Sequence, residues 1–448
     1  MNAIEVRASL TLALVYVLRM MGLFMVMPVL AVAAMEYPDY SPVLVGLAIG
    51  GYGLTQAALQ IPMGMLSDRW GRKPVILFGL CMFALGSFVA AGAESLTMMI
   101  VGRVLQGAGA IAGAIMALAT DVSRETQRAK VMAIIGIAIG FSFYLAVLVG
   151  PIIAKQWGLS GIFLLTGTLA ICCMPLIQWV VPTTAKLSSG DVLPQAGQLK
   201  RLVFSSQLWR LNISVMFLHM MITLLFVQLP VTLLHFNMTL ESHWELYLPV
   251  LGASVLGLIV MMGMARGRMP RSLVLAAAVF MASAFGMLAY ADHNQWLVVA
   301  AVVLFFTGFN YLEASFPALV SSIAPAGNKG TAMGIYASFQ FFGAFMGGAT
   351  AGLVSDHWSA ETAYLVGAIA ATLWLLVLQG LREVSRIRRV TLYTSVNQPR
   401  EDALKEALAA LDGVEESNIS ATEGVVYLKV TAAFDYNEAA VTLRTFES

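Results

Sequence analysis

Four ionisable side chains stand in otherwise apolar stretches: Arg19 (Leu18-Arg-Met-Met-Gly22), Arg103 (Gly102-Arg-Val-Leu-Gln-Gly107), His219 and Glu313 (Phe309-Asn-Tyr-Leu-Glu313). A charge held in hydrocarbon costs a few kcal/mol or more, so each invites a functional reading. The chemistry open to them is proton exchange. Desolvation raises a carboxyl pKa and a nearby Arg lowers it, so Glu313, balanced between the two, can load and release a proton near neutral pH. The competing readings are structural: a permanently paired Glu313, carbonyl tethering by Arg19 and Arg103, and a satisfied interior His219. A second constellation is Gly64-Met-Leu-Ser-Asp-Arg-Trp-Gly-Arg-Lys-Pro74. It places Asp68, Arg69, Arg72 and Lys73 in a turn between two membrane-length apolar runs, which must form an antiparallel hairpin. Gly64 and Gly71 allow close backbone passage, and Pro74 can open the next helix without losing a hydrogen bond.

The elements that must hold these groups are membrane helices. Of 448 residues, 59% are hydrophobic and only 11% charged, against about 25% charged in soluble proteins. Apolar runs fall near 10–34, 43–66, 74–93, 97–119, 130–153, 160–182, 209–233, 246–265, 272–291, 296–321, 330–354 and 362–381, which predicts twelve spans. Nearly all Lys and Arg of residues 1–387 fall in the N-terminus, the even-to-odd loops and the stretch after the last span. Arg19 and Arg103 lie within spans, and only Lys155 lies on the opposite side. Both termini are therefore expected to be cytoplasmic. The longest polar gap, 183–208, divides the spans six and six. Gly64-Met65, Arg69 and Arg72 return as Gly263-Met264, Arg268 and Arg271, and Arg128-x-x-x-Met-Ala-Ile returns as Lys329-x-x-x-Met-Gly-Ile. The nearly equal offsets suggest a parallel repeat of two halves, in which Gly267 replaces Asp68 in the second copy.

The loop at 64–74 resembles the signature between helices 2 and 3 of the major facilitator superfamily (Gly-x-x-x-Asp-Arg-x-Gly-Arg-Lys-Pro), with no departure at the charged positions. Arg103 and Gly107 resemble that family's helix-4 motif, Arg-x-x-x-Gly. In span 5, Gly150-Pro151 after Gly140 partly resembles a motif of drug–proton antiporters, but Ala146, Ala154 and Lys155 replace three of its glycines. The resemblance implies a gate. Asp68 would face the N-terminus of helix 11, opened by Lys329, when the transporter is open outward. Asp121 would pair with Arg72 and hold the loop. It also implies a proton-coupled transporter of a bacterial inner membrane, working by alternating access, most simply as a monomer exporting a small amphipathic molecule. Proton-coupled import of a polar solute is an alternative, favoured if Asn212, Gln228, Asn310 and Gln340 line the cavity. A non-transporting sensor with the tail as output is another.

From about 388 the composition changes. Alternation at 389–396, a helical face at Leu404, Leu408 and Leu411, strands at 414–421 and 425–430 and a helix at 436–446 predict βαββα. This order resembles a small ferredoxin-like domain of the heavy-metal-associated type, without its Cys-x-x-Cys. The expected fold is thus an all-α polytopic membrane protein in two six-helix halves (1–182 and 209–387), plus a small α+β domain at 388–448. The tail holds six basic and ten acidic residues, and could dock on a basic cytoplasmic face or remain a solvated acidic surface. The three cysteines (Cys81, Cys172, Cys173) lie in apolar runs and match no metal spacing, and His235, His243, His293 and His357 match no ligand pattern. Walker and His-Glu-x-x-His motifs are absent from the sequence. No enzyme activity, cofactor, metal or nucleic-acid partner is expected; the expected partners are a small molecule, protons and lipid.

Overall fold

The computed structural model describes residues 3–123, 125–182, 202–205, 207–265, 270–291, 294–324, 329–381, 388–393, 401–420, 425–430 and 434–447. The expectations for most of the 183–208 linker and for Gly267, Arg268 and His293 lie outside them. The chain divides into two compact units, Met1–Val260 with Val274–Leu381, and Met261–Leu273 with Arg382–Ser448.

The first unit is built on α1 (Ala3–Ala33), α2 (Pro42–Trp70), α3 (Arg72–Ala91), α4 (Leu96–Ala108), α5 (Ala112–Asp121) and α6 (Glu125–Pro175). After the linker come α7 (Leu208–His235), α8 (His243–Ala265), α9 (Arg271–Ala289), α10 (Gln295–Ile323), α11 (Lys329–His357) and α12 (Ala360–Gln379), of which the end of α8 from Met261 and the start of α9 up to Leu273 are counted with the second unit. Among the described residues, eleven helical stretches are long and apolar enough to cross a membrane, where the sequence predicted twelve runs. The difference lies in α6. Its 51 residues are interrupted at Gly158, whose φ of 62° leaves the helical region. A bilayer core takes about 20 helical residues, so the two parts answer to the separate runs predicted at 130–153 and 160–182. The fourth span departs in the other direction, broken at Gly109–Ile111 into α4 and α5.

Local chemistry fixes the ends. Gly71 alone joins α2 to α3 at φ 95°, a conformation that a side chain would strain. Ser41 accepts from the Leu44 N–H with Pro42 in the first turn of α2. The start of α4 is doubly capped: Ser95 accepts from Met98 N–H, and Asp39 accepts from the backbone N–H groups of Leu96 (2.7 Å) and Thr97 (3.1 Å). Those backbone donors hold the Asp39 carboxyl below its ordinary range.

The second unit contains β1 (Arg388–Tyr393), α13 (Glu401–Ala409), β2 (Val414–Ser420), β3 (Val425–Val430) and α14 (Tyr436–Glu447). The sheet is antiparallel with β3 between β1 and β2, and β2 carries a register irregularity between Val414 and Glu416. Leu392, Leu404, Leu408, Ile419, Val426, Leu428, Val430, Ala439 and Leu443 form its own buried cluster.

Candidate functional site

Glu313 sits in the inner half of α10, and the side chains that meet it come from α7 and α11. His219 Nε2 lies 3.7 Å from Glu313 Oε2. On its other side, His219 Nδ1 is 3.2 Å from the Val215 carbonyl oxygen, and Nε2 is 2.7 Å from Gln340 Nε2. A carbonyl only accepts and an amide NH2 only donates, so these partners select the neutral imidazole with its proton on Nδ1. A second proton on Nε2 would break the Gln340 contact and create an ion pair with Glu313. The carboxylate is less enclosed than its sequence position implied, since 38% of its side chain is exposed. Its Oε2 is nevertheless buried and makes no hydrogen bond. One proton can therefore change both partners' contacts.

Arg19 and Arg103 do not meet this pair. Arg103 donates to the carbonyls of Ala48 (3.0 Å) and Ile49 (3.5 Å) and to Gln106 Oε1 (2.8 Å), with its guanidinium 5.2 Å from the Tyr52 ring centre. Arg19 donates through Nη2 to Tyr52 Oη, Gln56 Oε1 and the Gly109 carbonyl, at 2.9 to 3.1 Å. Both are tied within the first half, by neutral groups that the apolar pattern could not reveal. The basic side chain nearest Glu313 is His219 and not an arginine. The predicted polar lining also divides. Gln340 touches His219, and Asn310 donates to Tyr144 Oη (2.7 Å). Gln228 is buried against Ser355 and the Ala351 carbonyl, and Asn212 is buried as well.

At the inner end of the first half, Arg72 binds Asp68 and donates to Ser67 Oγ (2.8 Å) and, through Nε, to Asp121 Oδ2 (3.1 Å). Lys73 donates to the carbonyls of Gln178 and Val181, tying α3 to the end of the sixth span. Among the described residues Asp68 thus bonds within its own loop, to Arg72, and not to α11, whose first turn carries Lys329. Arg69 is exposed.

The outer ends of the halves are closed by residues that the sequence reading passed over. α2 and α11 cross at backbone contact: an added Cβ on Gly46 or on Gly348 would run into the other's carbonyl oxygen, and one on Gly352 would sit 2.5 Å from the Pro42 carbonyl. Gly50 and Gly53 face the backbone of Phe345 and Phe341 in the same way. The available signal was spacing, since Gly46/Gly50 and Gly348/Gly352 are each four apart, as small residues at close membrane-helix crossings are. Lys155, the one cation on the outer side, pairs with Glu241 of the second half at 2.5 Å. Deeper in, Phe24, Phe143, Phe226 and Phe306 form an aromatic layer across the halves with centroids 5.1 to 6.2 Å apart. Toward the inner ends, Gly64, Gly136, Gly140 and Gly334 have no atom within 4 Å of an added Cβ. Of the span-5 motif, Gly150 packs on the Met25 carbonyl, and Pro151 follows it in α6.

Comparison with known proteins agrees with this architecture. The Major Facilitator Superfamily profile matches residues 12–348 and 254–410. The inner membrane transport protein YajR of Escherichia coli (strain K12) is 38% identical over 446 residues, covering 97% of each chain. Multidrug resistance protein D of the same organism is 32% identical over 157 residues, 32% of this chain and 40% of that one. Among solved structures, a D-xylose–proton symporter superposes with a TM-score of 0.68 at 14% identity, covering 85% of this chain and 99% of the other.

Proposed function

We propose that this chain, which belongs to the major facilitator superfamily, is a proton-coupled exporter of small amphipathic molecules working by alternating access. It is a multi-pass transporter and not an enzyme. The observation that carries the coupling is the Glu313–His219–Gln340 cluster: a carboxylate and an imidazole within ion-pair range, with hydrogen bonds that change when one proton arrives. Because α7, α10 and α11 hold one member each, protonation alters the packing of three helices of the second half. Such a group can bias the balance between two access states.

The outer closure supports an inward-facing reading of this arrangement. α2 meets α11 at backbone contact near Gly46 and Gly348, and Lys155 bridges to Glu241. Asp68 bonded to Arg72, rather than to α11, is the state that the gate mechanism assigns to an inward opening. Outward opening then separates the glycine crossing and lets Asp68 approach the positive end of α11. Export is favoured by the phenylalanine layer, an apolar wall suited to an amphipathic solute, and by similarity to a protein named for multidrug resistance. Similarity to YajR places the chain in a bacterial inner membrane. We read the βαββα unit as an appended ferredoxin-like module.

Proteoliposomes with an imposed proton gradient test the proposal. Glu313→Gln, which mimics the protonated carboxyl, should retain solute binding and lose gradient-driven transport. A Glu313→Gln protein that transports normally, with its gradient dependence intact, would remove Glu313 from the coupling role. The direction of solute movement separates export from import.

A further inference from the structure

The break in the fourth span lies against a buried cation that the coupling cluster does not use. Arg19 is 2% exposed, and no carboxylate touches it among the described residues. All three of its hydrogen bonds leave from Nη2, and its guanidinium carbon lies 5.5 Å from the Phe83 ring centre, while Nε and both protons of Nη1 make no hydrogen bond, so three of its five donors are unspent. Arg103 differs: Nε, Nη1 and Nη2 each find an acceptor. Leaving buried charged donors unpaired is expensive, so the unequal service of the two arginines asks for a cause.

α5 adds a second set of donors beside Arg19. Its N-terminus begins three residues after Gly109, the residue whose carbonyl accepts from Arg19, and Ile111 at its cap offers no side-chain hydrogen bond. The N-terminus of the ten-residue α5 carries a partial positive charge, three residues on from the carbonyl that Arg19 holds. Gln56 donates to Gln60 Oε1, which leaves the Gln60 NH2 group against Gly113 in the first turn of α5, where an added Cβ would sit 3.1 Å from Gln60 Nε2. Cationic, dipolar and amide donors thus flank the interruption, Arg19 at Gly109 and the Gln60 amide at Gly113. The site is one side chain behind the seam between the halves: Tyr52, which accepts from Arg19, has its ring 6.1 Å from that of Phe341 on α11. Parting of the halves at this level would uncover it.

We propose that Arg19, Gln60 and the N-terminus of α5 form an anion-binding site that receives the acidic group of the transported solute, which makes the substrate class an amphipathic organic anion. This rests on the transport reading but is tested by equilibrium binding, independent of transport.

The full-length protein, purified in detergent and chloride-free methanesulfonate buffer, is titrated with cinnamate and with its uncharged counterpart cinnamamide. Binding is followed by thermal unfolding and calorimetry. Cinnamate should bind saturably and raise Tm, and cinnamamide should not. Arg19→Gln and, separately, Gly113→Val, whose side chain enters the space beside the Gln60 amide in the first turn of α5 while leaving the guanidinium in place, should each weaken cinnamate binding by about tenfold or more. Should Arg19→Gln fail to fold, Arg19→Lys keeps the charge and should still weaken binding. Equal binding of acid and amide, or undiminished binding in the foldable variants, overturns the site. A saturable stabilisation by sodium chloride that the same variants lose, with no added effect of cinnamate, overturns the assignment to the solute in favour of a free inorganic anion. Gradient-driven movement of an uncharged solute without cinnamate binding would sink this inference alone. Cinnamate binding in a protein that moves no solute would sink the transport reading alone.

Discussion

Gly348→Ala should shift the protein toward an outward-open state. The added methyl enters the crossing of α2 and α11, where it would run into the Gly46 carbonyl oxygen and lie 3.0 Å from the Gly50 nitrogen and 3.2 Å from its Cα. All three neighbours are backbone, so no rotamer change relieves them and the helices must separate. Overpacking of this kind costs about 1–3 kcal/mol. The penalty falls on the outer-closed state only, because the crossing is made only there, and an energy of that size changes a two-state ratio roughly 5- to 150-fold. A cysteine at Ala344, whose Cβ is 3.5 Å from an added Cβ on Gly53 across the crossing, reports the change. With Cys81, Cys172 and Cys173 replaced by Ser, an impermeant maleimide added from outside should label Ala344→Cys faster when Gly348→Ala is present. Gly136→Ala, at a position with no atom within 4 Å, serves as the control and should change nothing. Equal labelling with and without Gly348→Ala would refute the glycine crossing as the outer gate.

Arg72→Gln should destabilise the protein by roughly 3 kcal/mol, since it leaves the Asp121 carboxylate, 4% exposed, without its cation; adding Asp121→Asn should recover part of the loss in thermal unfolding, and additive losses would argue against the pairing. Asp39 acts outside the spans: its lowered carboxyl pKa means that its stabilisation of α4 is complete above the ordinary value of 3.8 and is lost as pH falls through the depressed folded value. Asp39→Asn should therefore lower Tm at neutral pH, with a gap that narrows under acid; a gap independent of pH would contradict the assignment. Residues 388–448 expressed alone should unfold cooperatively, because the unit holds its own buried cluster, and a chain ending near Arg386 should still insert. Loss of insertion on truncation would make the tail part of the membrane fold.

The sequence by itself determined the elements. Apolar runs of membrane length, interrupted by Gly71 and Gly158, laid out the spans, because backbone groups in lipid must be satisfied within the helix and hydrophobic length is set by bilayer thickness. Positive-φ glycines and capping residues act within a few positions, so the hairpin at 64–74 was legible, as were the strands of the tail through their two-residue alternation. The pairing of Arg72 with Asp121 was expected only through a family resemblance, and the distance of 3.1 Å gives it a place in this chain. Tertiary structure decided the partners. Nothing in the apolar pattern around Arg19 or Arg103 tells whether a carboxylate or a row of carbonyls will lie opposite, since those acceptors come from α2 and from the break after α4. Glu313 met His219 rather than an arginine for the same reason: side chains 94 positions apart in the sequence become neighbours only when α7 and α10 pack. The break at Gly109–Ile111 also escaped a periodicity that runs unbroken across it. Gly107, Gly109 and Gly113 weaken helical propensity there, but glycine alone does not tell a break from a close helix crossing, and the close approach of Gly109 to the Gly79 carbonyl, an interaction between spans, accompanies the departure.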